Sequence, residues 1–373
     1  MRIALLTYST KPRGGVVHTL ALAEAMARAG HVVHVWSLGR GGDAAFFRPV
    51  DPAVELRLVP FPDVPGEDVG ARILRSIAVL AAAFEDADYD VVHAQDCISA
   101  NAVPDCVRTV HHLDTFTTPE LAACHERAVV TPHTLVCVSS AVAAEVAAGW
   151  GRTASVIPNG VDAARFAVAA GPDGAAGRGR WRARLGRYVL AVGGIEPRKG
   201  TLDLVEAMAV VQRRRPDLEL VVAGGETLFD YRDYRARVDA RAAELAVHPV
   251  VLGPVDHEQL PTLVAGAEVF AFPSTKEGFG LAAMEALAAG VPVVTRDLPV
   301  LREVFGPAAA FASGPAGFAA ALLAGSAGED QQRVAAGRAL AAAHDWDRAA
   351  AAHLDLYRTS VPHRRSTTGA DGR

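Results

Sequence analysis

The chain has 373 residues, of which 50% are hydrophobic and 21% charged, so the sequence predicts a globular protein with two domains. Its net charge of −5 argues against nucleic acid as the main partner. The first residues are typical of a strand rather than of a cleavable signal, no apolar run has the length of a membrane span, and the four cysteines form no CxxC pair. We therefore expect a cytoplasmic protein with free buried thiols.

The first half of the chain alternates strand and helix patterns, which predicts a parallel sheet covered by helices on both faces. Short apolar runs predict the strands, and apolar residues at helical spacing predict the helices. The predicted strands are 3–8, 32–38, 54–59, 90–93, 109–111, 135–139 and 155–157, and the predicted helices are 17–29, 72–84 and 141–148.

The second half repeats the pattern after a segment of different character. Residues 167–187 begin with a stretch rich in Gly, Ala and Pro and contain five arginines between Arg178 and Arg187. The loop-like composition predicts a linker. The arginines form either a solvated helix face or a patch for a membrane or an acidic partner. The strands predicted beyond it are 188–192, 218–223, 250–252, 267–273 and 291–295, and the helices are 202–214, 231–245 and 344–358.

Two successive doubly wound domains follow from this pattern. The predicted parts are a first domain over 1–166, the linker, a second domain over 188–344, a helix at about 345–360 and a flexible tail over 361–373. Ligands of open parallel sheets bind beyond the carboxyl ends of the strands. We therefore expect a ligand cleft between two facing carboxyl edges, with hinges near 162–187 and 345.

The segment Glu277-Gly-Phe-Gly-Leu-Ala-Ala-Met-Glu285 is the most informative in the chain. It predicts a tight turn after a strand, then a helix, with one acid before the helix and another about one turn inside it. A helix N-terminus suits a phosphate, and acids on either side suit hydroxyl groups, which is the layout of a nucleotide sugar. The alternative is a helix-terminal charge and a solvated glutamate, but Glu285 lies among apolar neighbours and needs a partner.

In each predicted domain, a glycine-rich loop follows the first strand. Gly14 and Gly15 would let a substrate approach the backbone, although a purely conformational turn explains them equally well. In the second loop, Arg198 and Lys199 follow Gly193-Gly194 and form a plausible diphosphate clamp. The alternative for that loop is a solvated basic turn.

Two adjacent histidines, His111 and His112, come directly after a predicted strand. A histidine at a strand's carboxyl end could hold a sugar hydroxyl or a developing charge. A hydrogen-bonded structural histidine is the alternative for either one. No HExxH or similar spacing supports a metal site, so none is expected.

Taken together, these segments resemble the retaining nucleotide-sugar glycosyltransferases of family 4, and the resemblance covers nearly the whole chain. The segments that carry it are Gly14-Gly15, Thr109-Val-His111, Val156-Ile-Pro-Asn-Gly-Val-Asp162, Arg198-Lys-Gly200, Glu277 to Glu285 and Gly290-Val-Pro-Val-Val-Thr295. The resemblance implies the α/β GT-B fold, in which two Rossmann-like domains face each other and a C-terminal helix crosses back to the first domain.

The resemblance also implies roles for residues of the second domain. Glu285 would accept hydrogen bonds from the ribose, and Glu277 would contact hydroxyls of the transferred sugar. Arg198 and Lys199 would neutralise the leaving diphosphate. The amides that would face the sugar and diphosphate belong to Phe279, Gly280 and Leu281, and the base pocket would lie at Asp256.

In the first domain, Gly14 and Gly15 would lie near the diphosphate and the acceptor. His111 matches the active-site histidine of the family best, with His112 as its rival. One position departs from the family pattern. The family usually has Gly-Arg after the first strand of its second domain, whereas this chain has Gly193-Gly194, and Arg198 could replace the missing cation.

The expected activity is transfer of a hexose, with retention at the anomeric carbon, from a UDP-, GDP- or ADP-sugar to an unidentified sugar, lipid-linked or small-molecule acceptor. No metal or other cofactor is expected. Alternative functions are a sugar phosphorylase, a nucleotide-sugar epimerase or a non-catalytic nucleotide-sugar-binding protein. Peripheral contact with the inner face of the membrane is a further expectation, through 178–187 or the helix at 71–84.

Overall fold

The computed structural model describes residues 1–86, 89–114, 116, 118–225, 231–328 and 330–360. The tail predicted at 361–373 lies outside these residues. The chain divides into two compact units. The first consists of Met1–Gly160 and the last helix, and the second consists of Val161–Asp345.

The first unit contains a seven-stranded parallel sheet, as the alternating pattern predicts. Its strand order is β3-β2-β1-β4-β5-β6-β7, so successive strands are added on one side of β1 and then on the other. The strands are β1 (Arg2–Thr7), β2 (Val32–Arg40), β3 (Val54–Phe61), β4 (Val91–Ala94), β5 (Val107–Val110), β6 (Thr134–Cys137) and β7 (Ser155–Val156). Each predicted strand of this half overlaps one of them.

Five helices connect these strands, of which three were predicted. They are α1 (Gly14–Arg28), α2 (Val69–Ala83), α3 (Cys97–Ala102), α4 (Pro119–Val130) and α5 (Ser140–Trp150). The sequence analysis missed α3 because it has only six residues. It missed α4 because the buried stripe of that helix includes Cys124 and His125, which interrupt the apolar pattern.

The second unit contains a six-stranded parallel sheet of order β10-β9-β8-β11-β12-β13. Its strands are β8 (Arg187–Val192), β9 (Leu218–Ala223), β10 (Val250–Gly253), β11 (Val269–Phe272), β12 (Val293–Arg296) and β13 (Ala310–Ala312). Its helices are α6 (Ala163–Ala170), α7 (Ala175–Leu185), α8 (Thr201–Arg214), α9 (Arg232–Glu244), α10 (Leu260–Gly266), α11 (Leu281–Ala288), α12 (Pro299–Phe305), α13 (Gly314–Ser326) and α14 (Gln331–Ala343).

The segment 167–187, expected to be a linker, is instead largely helical and belongs to the second unit. Trp181 and Leu185 are one turn apart on α7 and both are buried, which fixes that helix to the unit. Arg178 and Arg182 donate to backbone carbonyls of the same unit. Because glycines and arginines surround these two apolar residues in the sequence, the composition of the segment resembles a loop, and the predicted linker was wrong.

The last helix, α15 (Trp346–Ser360), belongs to the first unit, which confirms the crossing back that the resemblance implies. Its Tyr357 hydroxyl lies 2.6 Å from Nδ1 of His93, and its Trp346 ring is 5.3 Å from the ring of His18. Throughout the described residues, no helix is long and apolar enough to cross a membrane.

A cluster of four histidine rings lies between the first sheet, α1 and α15. His18 is 4.7 Å from His111 and 6.1 Å from His353, and His93 is 5.6 Å from His353, measured between ring centroids. Burial is the main cause that lowers the pKa of each ring, to about 3 for His111 and about 4 for His353. The four rings are therefore uncharged at neutral pH.

We predict that acid destabilises the first unit. In the folded state the four rings stay neutral, whereas in the unfolded chain they bind protons near their ordinary pKa of 6.5. Their contribution to stability is thus complete above pH 6.5 and is lost as the pH falls toward the folded values. His353→Gln should reduce the pH dependence by up to one proton, or about 1.4 kcal/mol per pH unit.

The measurement is urea unfolding, followed by tryptophan fluorescence, between pH 7.5 and 5 in half-unit steps, each of which changes the free energy of unfolding by roughly 0.7 kcal/mol per proton. The background variant is Trp181→Phe, because the other tryptophans, Trp36, Trp150 and Trp346, all belong to the first unit. His248→Gln, at an exposed position of the second unit, is the matched control. Equal slopes for His353→Gln and this control would contradict the prediction.

Candidate active site

The carboxyl ends of β8 and β11 are neighbours at one edge of the second sheet. Gly193 and Gly194 follow β8, Ser274 lies just beyond β11, and together with Lys199 they line a small cavity. Ser274 is buried, and its hydroxyl has no hydrogen-bond partner among the described residues. The cavity therefore offers an unpaired polar atom at the place where ligands of parallel sheets bind.

Glu277 joins the two cations of the predicted clamp. Its Oε1 accepts a hydrogen bond from Nζ of Lys199 at 2.7 Å and another from Nη1 of Arg198 at 3.2 Å. Only 11% of the Glu277 side chain is exposed, so the pairs are shielded from water. Arg198 also binds Glu196, at 2.8 Å. The sequence analysis gave Glu277 and the two cations separate roles, whereas here they form one network.

The loops that carry this network are in contact through their backbones. The amide of Thr275 donates to the carbonyl of Arg198 at 2.8 Å. Gly200 has a φ of +65°, and a Cβ there would lie 2.2 Å from the carbonyl oxygen of Pro273. Glycine is therefore required for both the conformation and the close approach.

Helix α11 begins beside Glu277 with an uncapped N-terminus, as the strand–turn–helix pattern predicts. Gly280 precedes it with a φ of +99°, and a Cβ at Gly280 would lie 2.9 Å from the ring of Phe305. Among the described residues, the amides of Phe279, Gly280 and Leu281 donate to no acceptor. Three amides and the positive end of the helix thus remain for a ligand.

Glu285 lies about one turn inside α11 and is partly buried. Burial raises the pKa of its carboxyl to about 7, Arg165 opposes that rise and Asp162 adds to it. Within the described part of the chain no residue donates a hydrogen bond to this carboxyl. A buried acceptor without a donor is available for the hydroxyls of a ligand.

Arg296, at the end of β12, forms hydrogen bonds with residues next to both loops. Its Nε donates to the carbonyl of Pro273 at 2.8 Å, and its Nη2 donates to the carboxylate of Asp203 at 2.5 Å. Asp203 lies in the first turn of α8, the helix that follows Lys199. Arg296 therefore links the start of the loop after β11 to the first turn of the helix that follows the other loop.

In the first unit the structure brings His111 and Gly15 together. A Cβ on Gly15 would lie 3.5 Å from Cδ2 of the His111 ring, so the glycine leaves room for this histidine. Nε2 of His111 is buried and finds no partner in the described chain. Gly14 and Gly15 are the first residues of α1 rather than a loop before it.

Two of the predicted site residues have structural partners of their own. Nε2 of His112 lies 3.3 Å from the carboxylate of Asp114. Asp256 is exposed, and its carboxylate accepts from the amide of Glu258 at 2.9 Å, which fixes the turn after β10. Of the two adjacent histidines, His111 is the one with a buried ring nitrogen that has no partner among the described residues. His, Cys, Asp and Glu side chains of the described residues form no group of three that could hold a metal ion.

Comparison with known proteins matches the two halves of the chain separately. Residues 12–165 match the sequence model described as Glycosyltransferase Family 4, and residues 183–323 match the one described as Glycosyl transferases group 1. A phosphatidyl-myo-inositol mannosyltransferase of Mycobacterium tuberculosis is 31% identical over 330 residues, which cover 82% of this chain and 80% of that protein. The chain belongs to the family 4 glycosyltransferases.

Other known proteins are similar to this chain in sequence or in fold. A D-inositol 3-phosphate glycosyltransferase of Pseudarthrobacter chlorophenolicus is 29% identical over 82% of this chain and 81% of its own length. A sucrose-phosphate synthase of Thermosynechococcus elongatus has a TM-score of 0.77 at 21% identity, over 96% of this chain and 98% of that one. The Anabaena protein HepE, solved with UDP and glucose, has a TM-score of 0.73 at 18% identity, over 96% and 100%. The predicted GT-B fold is confirmed.

Several residues at the candidate site of this glycosyltransferase were not predicted. Ser274 and Arg296 lie at or just after carboxyl ends of strands, and that position was the available signal. Arg165 gave no signal in the sequence, because Glu285, whose pKa it affects, lies far along the chain. His18 lies on the apolar face of α1 and could be read only as a core residue.

We predict that Glu285→Gln stabilises the second unit at alkaline pH. Because the folded pKa of about 7 exceeds the ordinary 4.5, the stability associated with the protonated carboxyl is complete below pH 4.5 and is lost as the pH rises through 7. The neutral amide avoids that loss, so the variant should gain on the order of 3 kcal/mol at pH 8 and almost nothing at low pH.

Hydrogen exchange of β11 and β12 peptides, compared with wild type at the same pH, measures this difference. Glu258→Gln, at an exposed position of the same unit, is the control. A gain of the same size at both ends of the pH range would contradict the assigned pKa.

A second prediction concerns Arg296. Arg296→Met keeps the apolar stem but removes the donors to Pro273 and Asp203, so the second unit should lose on the order of 2 kcal/mol. Arg302→Gln breaks the exposed pair with Asp297 and should cost far less, because solvent screens that pair. Thermal unfolding of both variants measures the losses, and equal losses would show that Arg296 is not a support for the loops.

Proposed function

We propose that this chain transfers a hexose from a nucleoside diphosphate sugar to an acceptor, with retention at the anomeric carbon. The observation that carries the proposal is the arrangement around Glu277: two cations meet on its carboxylate beside three unpaired amides of α11, and Glu285 lies one turn further on. A diphosphate matches the cations and amides, and hydroxyl groups match the two acids.

The roles follow from the charges. As the bond between the sugar and the phosphate breaks, negative charge develops on the departing diphosphate, and Lys199, Arg198 and the helix amides are positioned to stabilise it. In the structure the cations pair with Glu277. Binding of the donor would draw Lys199 toward the diphosphate and leave Glu277 for a sugar hydroxyl.

The ribose would bind to Glu285, whose carboxyl accepts no hydrogen bond from the described residues. Burial raises the pKa of this carboxyl to about 7, and hydrogen bonds from the ribose hydroxyls would lower it again and so favour the ionised form. His111 is neutral at the pH of the cell, so we assign it a hydrogen bond to the substrate through Nε2 rather than proton transfer as an acid. A phosphate oxygen of the donor would take the acceptor proton.

The chemistry assigned to the chain uses side-chain cations, so we propose that it needs no metal. The nucleotide of the donor is UDP, GDP or ADP in this proposal. Mannosyl and glucosyl donors are tested first, because curated relatives carry the name mannosyltransferase and HepE was solved with UDP and glucose.

The test follows nucleotide release from a panel of UDP-, GDP- and ADP-sugars, and the anomeric configuration of the product by NMR. Glu277→Gln should lower the rate by about a hundredfold, because both cations lose their anchor. Glu258→Gln is the control of equal chemistry. Release as fast as wild type from Glu277→Gln would remove Glu277 from the mechanism.

The same assay separates the alternatives. Release of sugar phosphate only after inorganic phosphate is added would indicate a phosphorylase. Conversion of the free nucleotide sugar without release of nucleotide would indicate an epimerase. Binding that raises the melting temperature, with no turnover on any acceptor, would indicate a binding protein.

A further inference from the structure

A second group of cations lies at the carboxyl edge of the first sheet, apart from the residues discussed above. It consists of Arg13 before α1 and Arg40 at the end of β2, which lie beside Tyr8 after β1, and of Arg72 on α2, whose charge acts on Arg40. The guanidinium carbons of Arg40 and Arg13 lie 5.1 and 6.0 Å from the centre of the Tyr8 ring. We call these four residues the Tyr8 cluster.

The cluster has more positive than negative charge. Arg40 donates only to neutral groups, the carbonyl of Tyr8 at 3.3 Å and the hydroxyl of Ser76 at 3.0 Å. No hydrogen bond joins the guanidinium of Arg13 to any residue within the described ranges, and its Nε is buried. Burial, then Arg72 and Arg13 beside it, lowers the pKa of Arg40, although Tyr8 opposes that shift.

The carboxylates of the surrounding loops are engaged elsewhere. Asp96 accepts from the amides of Tyr8 and Ser99 and caps α3. The remaining pairs are Asp43 with Lys11 at 3.0 Å, Glu67 with Arg75 at 2.6 Å and Asp114 with His112 at 3.3 Å. An anion from outside the chain would therefore meet Arg13 and Arg40 without displacing a carboxylate from either.

We propose that the Tyr8 cluster binds a phosphate group of the acceptor. The inference rests on the proposed function, since it names the class of molecule that receives the sugar. Planar guanidinium groups can each form two hydrogen bonds with phosphate oxygens, and two of them on one aromatic ring hold such a group in a fixed place. The position fits, because ligands of a parallel sheet bind at its carboxyl edge.

The first experiment measures binding of glycerol phosphate to the full chain by titration calorimetry, with glycerol as the neutral counterpart. Glycerol phosphate should bind and glycerol should not. Arg40→Met, which keeps the packing against Tyr8, and Arg13→Gln should each weaken binding at least about tenfold. Arg57→Gln, at an exposed arginine of the same unit, should leave it unchanged.

Two further arms locate and identify the ligand. Lys199→Gln should leave binding of glycerol phosphate unchanged, because Lys199 belongs to the donor site. Loss of binding in this variant would mean that the probe occupies the donor site. Vesicles of phosphatidylcholine with and without phosphatidylglycerol test whether the phosphate belongs to a lipid headgroup. Binding that requires Arg13 and Arg40 in solution indicates a soluble phosphorylated acceptor, and the same requirement only on anionic vesicles indicates a phospholipid.

Either requirement supports the inference. It is overturned if neither probe binds, or if binding is the same in wild type, Arg13→Gln and Arg40→Met. Nucleotide release by the wild-type chain is followed separately. Absence of release refutes the proposed function, whereas release together with anion binding that ignores both arginines refutes only the phosphate subsite.

Discussion

The pairing of one carboxylate with two cations is the interaction on which the second unit's candidate site depends. Glu277 holds both Arg198 and Lys199 on one oxygen, in a position mostly shielded from solvent. A shielded charge without a partner is costly, so Lys199 stays on this carboxylate until another anion replaces it, whereas Arg198 also binds Glu196. The ion-pair network thus keeps the site organised and explains why an anion would reorganise it.

The remaining features of that unit hold the two loops at the distance this pairing requires. Gly200 lets the backbones touch, the Thr275 amide joins them, and Arg296 binds the start of one loop and the helix that follows the other. Gly280 then directs the unpaired amides of α11 to the same edge of the sheet. The glycines act through conformation and close approach, and Arg296 acts through charge and hydrogen bonds.

The contact between the first sheet and α15 is organised differently, by neutral polar groups. Its buried histidines contact one another and the aromatic residues of α15, which fixes the last helix of the chain to the sheet. Burial keeps the rings uncharged, so they pack as polar aromatic residues and leave Nε2 of His111 for a hydrogen bond. Two arginines of the first unit instead meet at the ring of Tyr8.

The sequence by itself determined the alternation of strands and helices, the two parallel sheets and the strand–turn–helix around Glu277, because these follow from local periodicity and turn residues. It missed α4, whose buried stripe contains Cys124 and His125, and it took the helices within 167–187 for a linker. Only the tertiary structure decided that Arg198, Lys199 and Glu277 share one network, that Arg296 supports it and that the arginines around Tyr8 meet. Those contacts join residues distant in the chain, and which side chains become neighbours depends on strand order and loop packing rather than on local pattern.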